Sequence, residues 1–118
     1  QLFGFGPDTY GILTWDFRQD ALDRYGVFYE SAHNEYFQYL VTMGPFALAS
    51  YLAFLGGTCV QMCKKWKECA WILAPVLAVL CYGAQAVVNI NLPIATPIMW
   101  AMLAIGLALT REKAEQAE

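Results

Sequence analysis

The sequence lacks charge where a soluble chain would carry it. No Asp, Glu, Lys, Arg or His occurs from Tyr36 to Cys63, and none from Cys69 to Thr110. Charged residues are 14% of the chain and apolar residues 58%, against roughly 25% charged in ordinary soluble domains. Neither tract shows a polar face at the helical period, which argues against a solvated helical bundle. No basic stripe is present, which excludes nucleic acid as a partner. Histidine is scarcer than any charge, with His33 alone. No cysteine precedes Cys59, so a disulfide framework in the N-terminal segment is excluded. Cys59 and Cys63 are spaced to share a helix face, but only Glu68 stands near them. No metal site and no other cofactor is expected.

What is present is apolar length. A hydrocarbon core of about 30 Å takes about 20 apolar residues as a helix. The first tract fits one span, 42–62. The second fits two, 70–88 and 94–109, separated by "NINLPIATP" (89–97), whose prolines and asparagines predict a break and a tight turn. The expected fold is therefore all-α: a polytopic membrane protein fragment with about three transmembrane helices. Residues 1–35 form an extracytoplasmic segment with an interfacial helix, and 111–118 form a cytoplasmic, solvated tail. The orientation follows from "KKWK" (64–67), the most basic loop, since cytoplasmic loops are enriched in Lys and Arg. Residues 1–35 must be carried outside without a signal-peptide pattern of their own, so the chain is expected to be the C-terminal part of a larger multi-span protein.

Residues 8–35 mix aromatics and charge: Tyr10, Trp15, Phe17, Tyr25, Phe28 and Tyr29 beside six acids and two cations, Arg18 and Arg24. Apolar residues at 17, 21, 22 and 25 predict a helix that can lie on a membrane surface, where Trp and Tyr favour the interface. An interfacial helix without chemistry accounts for this pattern equally well. Ser31 is the expected cap of a helix beginning near Ala32, with Glu35 in its first turn. His33 then stands at a helix start beside the lipid head groups. Its imidazole exchanges a proton near neutral pH, and arginine is the usual fork for a diphosphate. A plain interfacial anchor remains the alternative role for His33.

"GFGPDTY" (4–10) lacks the third glycine of a dinucleotide loop. It predicts a turn in which Gly4 and Gly6 free the backbone and Pro7 fixes it, and in which the backbone can closely approach a ligand. The small residues of "TMGPFALASYLAFLGG" (42–57) suit close helix packing in a membrane.

"GFGPDTY" followed by "SAHNEYFQYLVTMGPFALASYLAFL" resembles the O-antigen ligase and polymerase-like superfamily of bacterial membrane proteins. "QAVVNINLPIATPIMWAMLAIGLAL" is similar to the closing hairpin of such proteins. The resemblance covers nearly the whole chain but only the C-terminal part of the family fold. It implies a glycosyltransferase in the bacterial cytoplasmic membrane, moving a glycan from an undecaprenyl-diphosphate carrier to an acceptor glycan, lipid or protein hydroxyl. It implies His33 as the catalytic residue and Asn34 as its orienting neighbour. Arg18 and Arg24 become diphosphate-binding candidates, and Gly4, Gly6 and Pro7 shape the turn beside the site. The family's acidic-Gly-x-x-Gly reads here Thr42-Met43-Gly44-Pro45-Phe46-Ala47, without the acid and with Ala for the second glycine. The 118-residue chain alone is expected to be inactive. The alternative is a membrane scaffold or transporter segment without chemistry. The absence of ionisable residues inside the spans counts against a pump.

Overall fold

The computed structural model describes residues 2–27, 31–90 and 93–115, with side chains through 112. Phe28, Tyr29 and Glu30 of the aromatic segment, Asn91 of the turn and residues 116–118 of the tail lie outside the described residues. The described residues are helical and contain no strand. The elements are α1 (Tyr10–Leu13), α2 (Trp15–Tyr25), α3 (Glu35–Met43), α4 (Pro45–Lys64), a 3-10 turn at Ala70–Ile72, α5 (Leu73–Gln85) and α6 (Ala95–Glu115). They group into two compact units, Gln1–Ser50 with Ala86–Ile90, and Tyr51–Gln85 with Asn91–Glu118.

In the second unit the buried positions repeat at helical spacing. α4 contributes Leu55, Thr58 and Met62; α5 contributes Val76, Val79 and Tyr82; α6 contributes Met99, Leu103 and Gly106. Met62 and Ile72 are fully enclosed. Gly106 is needed for this packing. A Cβ there would run into Met62 Sδ and lie 3.2 Å from Pro75 Cβ and Cγ. Tyr51 and Phe54 lean on Trp100, with ring centroids 6.5 and 6.0 Å apart. The outward faces are also apolar, with Leu52, Phe54, Val60, Leu77, Leu80, Ile98 and Ile105 exposed. A helix apolar all round belongs inside a large core or in lipid.

Among the described residues one helix, α4, is long and apolar enough to cross a membrane. Pro45 opens it at the position where a missing N–H costs nothing. The expected start at 42 fell short of the break. α3 ends at Met43, Gly44 turns at φ 87°, and α4 begins after it. The other two expected spans do not meet that standard. Ala70–Gln85 gives 16 residues, about 24 Å of helix against a core of about 30 Å. α6 has 21 residues, but from Arg111 it is charged.

In the first unit α2 buries no residue, and Gly26 closes it at φ 66° with its N–H on Leu22 O. The buried positions there are Glu35, Thr42, Gly44 and Ala86, which are polar or small. This unit is held largely through its backbone.

Candidate functional site

The glycine turn is a cap for α3. The last four carbonyls of a helix have no partner within it. Phe5 N donates to Val41 O and Gly6 N to Thr42 O, both at 2.9 Å. Gly4 (φ 72°) and Gly44 (φ 87°) make the contact possible. A Cβ on Gly4 would collide with the backbone of Thr42 and Met43, and one on Gly44 with Leu2 O and Gly4 N. Thr9 Oγ1 closes the turn on Gly6 O at 2.7 Å. The close backbone approach expected of these glycines is thus made to the chain itself. Pro7 is exposed at the edge of the turn.

The helix after it starts later than expected. Asn34, not Ser31, is the cap. Its backbone is extended (φ −151°) and its Oδ1 accepts from Phe37 N at 2.9 Å. The helix cannot begin at Ala32, because His33 lies in the left-handed region at φ 46°. His, Asn and Asp enter that region more readily than other side chains. Glu35 does fall in the first turn of α3. Its N–H donates to Ala86 O at 2.9 Å, and the residue is 2% exposed. Burial, and secondarily the Glu35 charge, push the Tyr36 phenol above its ordinary pKa.

His33 borders a cavity of about 500 Å³. Ser31, Ala32 and Phe37 line it beside His33; Tyr10, Thr14, Phe17 and Arg18 form the other wall. That wall is one helical face. Thr14 N bonds Tyr10 O at 3.0 Å and Arg18 N bonds Thr14 O at 2.9 Å, so the ladder passes through Thr14 from α1 into α2. Gly11 leaves space for the Arg18 guanidinium, where a Cβ would meet Nη1. Of the expected site residues, the cavity brings together His33 and Arg18. Asn34 stands next to it as the cap. Arg24 lies outside the lining, 2.7 Å from Asp20 in an exposed pair one turn away. Gly4, Gly6 and Pro7 also lie outside it.

Sequence reasoning missed Tyr10, Thr14, Phe17 and Phe37. The spacing 10, 14, 17, 18 is a helical face and was a usable signal. The cavity offers one imidazole, one guanidinium, three hydroxyls and two phenyl rings. It can hold an anion against Arg18, lay an apolar ring face on Phe17 or Phe37, and pass a proton at His33. Cys59, Cys63, Cys69 and Cys81 are free thiols. Compared with protein families, curated proteins and solved structures, the chain matches none.

Proposed function

We propose that this chain is part of a bacterial membrane glycosyltransferase acting on the outer face of the cytoplasmic membrane. It crosses the membrane with α4, the Ala70–Gln85 segment and α6, and keeps residues 1–35 outside. Arg18 holds the diphosphate oxygens of an undecaprenyl-linked glycan donor. His33 accepts the proton of the acceptor hydroxyl as that oxygen attacks the anomeric carbon. The bond from that carbon to the diphosphate breaks, and the diphosphate leaves with the electron pair. Asn34 fixes where the His33 backbone ends and α3 begins. The observation that carries this reading is the shared cavity of His33 and Arg18. The sequence resemblance supports the choice of reaction.

A second reading rests on the His33 backbone. Left-handed φ alone explains a histidine at this turn, and a membrane segment without chemistry needs no more. One substitution separates the two. Asn tolerates the same backbone but cannot act as a base. Glycan transfer is measured in membranes carrying the natural gene product with His33→Asn, at matched expression. A general base typically contributes about 10²- to 10⁴-fold. Transfer is expected to fall at least about 100-fold, with lipid-linked glycan accumulating. Transfer within twofold of the parent would leave His33 as a turn residue.

A further inference from the structure

We propose that the Lys64 end of α4 and the last apolar turn of α6 bind the phosphate of an anionic phospholipid. A cavity of about 300 Å³ lies there, lined by Gln61, Lys64, Lys65, Leu107, Thr110 and Arg111. The chain is acidic overall, with net charge −3, yet five of its seven cations (64, 65, 67, 111 and 113) fall at these two helix ends. Glu68 takes up Lys65, with Nζ 2.9 and 3.0 Å from its two oxygens. Lys64 and Arg111 make no ion pair among the described residues. Glu112 follows Arg111 about 100° further round α6. The carbonyl end of α4 is itself negative and repels an anion, so an anion is held here only by both cations together.

The position identifies the ligand. The apolar run of α4 stops at Lys64 and that of α6 at Thr110. The two cations therefore stand where the hydrocarbon would end. Trp66 and Trp71 flank the loop, and Trp71 is 80% exposed. Tryptophan settles at the head-group level of a bilayer, and basic clefts between helices on the cytoplasmic side hold anionic head groups. Leu107 adds an apolar wall that suits the upper acyl chain. The site rests on α4 crossing a membrane, and not on the transferase reading.

The purified full chain, reconstituted in phosphatidylcholine vesicles, is titrated with brominated phosphatidylglycerol while tryptophan quenching is followed. Each cation near an anionic surface is worth about fivefold in affinity. Lys64→Gln and Arg111→Gln are each expected to raise the half-quenching fraction about fivefold, and the double variant roughly 25-fold. Lys67→Gln, of equal charge change but outside the cavity, loses only the general surface attraction and is expected to shift it less than either cavity variant; a shift as large as theirs would overturn the site in favour of a diffuse basic surface. All three side chains are exposed, and circular dichroism checks that helix content is kept. Equal quenching by brominated phosphatidylcholine in the unsubstituted chain would overturn the site, whatever the variants do. A double variant that binds like the parent would overturn it too. Displacement of the lipid by millimolar glycerol phosphate would show a free-phosphate site instead and overturn the lipid assignment.

Discussion

The two units are built by opposite means. Unit two is assembled by side chains: Met62, Ile72, Val76, Val79, Met99 and Leu103 fill its interior. Among its described residues unit one has no such core. Its order comes from main-chain groups: Phe5 and Gly6 on α3, Glu35 on Ala86, and two glycines pressed together at positive φ. Under the proposed membrane reading the difference matters, because lipid does not drive apolar helices together as water does. Close van der Waals packing can hold the helices of unit two. The polar segment must instead satisfy its own hydrogen bonds, and doing so fixes the positions of Arg18 and His33.

The strongest way to break the contrast is Gly4→Ala. Left-handed backbone costs a side-chain-bearing residue about 1–2 kcal/mol. Two displaced hydrogen bonds add about 1 kcal/mol each. A loss of about 3–4 kcal/mol is expected, confined to unit one. Hydrogen exchange should then accelerate at Phe5 and Gly6 while the α5 and α6 amides stay protected. Protection lost equally in both units would mean that they are not separately stabilised.

The converse test is Ile72→Ala. Removing an enclosed aliphatic side chain costs about 2–5 kcal/mol in soluble cores, and about 3 kcal/mol is expected here. The loss should appear in α5 and α6 exchange and leave the Phe5 and Gly6 amides unchanged. A response at Phe5 would refute the division.

The smallest effect expected is at Asn34→Ala, about 1 kcal/mol for a lost helix cap. It sharpens the comparison because it tests one local bond. The Phe37 amide should exchange faster, and Val41 and Thr42 should keep their partners. Unaltered exchange at Phe37 would show that the Asn34 bond carries no stability.

The apolar half of this molecule was legible in the sequence. Long uncharged tracts locate α4 to within a few residues, and Pro93 marks the turn before α6, because hydrophobic length and missing donors act locally. The boundaries moved where a backbone angle decides them, as at Gly44 and His33. Ser31 and Asn34 are both good caps, and only the His33 backbone chooses between them. The meeting of Gly4 with Thr42, or of Arg18 with His33, leaves no trace in periodicity. The first depends on the absence of a Cβ at a position far away in the chain. The second depends on how residues 10–18 are turned toward 31–37.

The glycine cap also sets an order of events. Residues 4–6 leave the ribosome well before Val41 and Thr42, the carbonyls they will cover. Until those arrive the turn has no docking partner, and until it docks the last turn of α3 has unpaired acceptors. Closing a loop of some three dozen residues is entropically costly, and it has nothing to close on until the α3 carbonyls are in place. The turn is thus made before its partner and fixed after it, and the chain that it leads into, toward Tyr10 and Thr14 of the cavity wall, is anchored at that end only then.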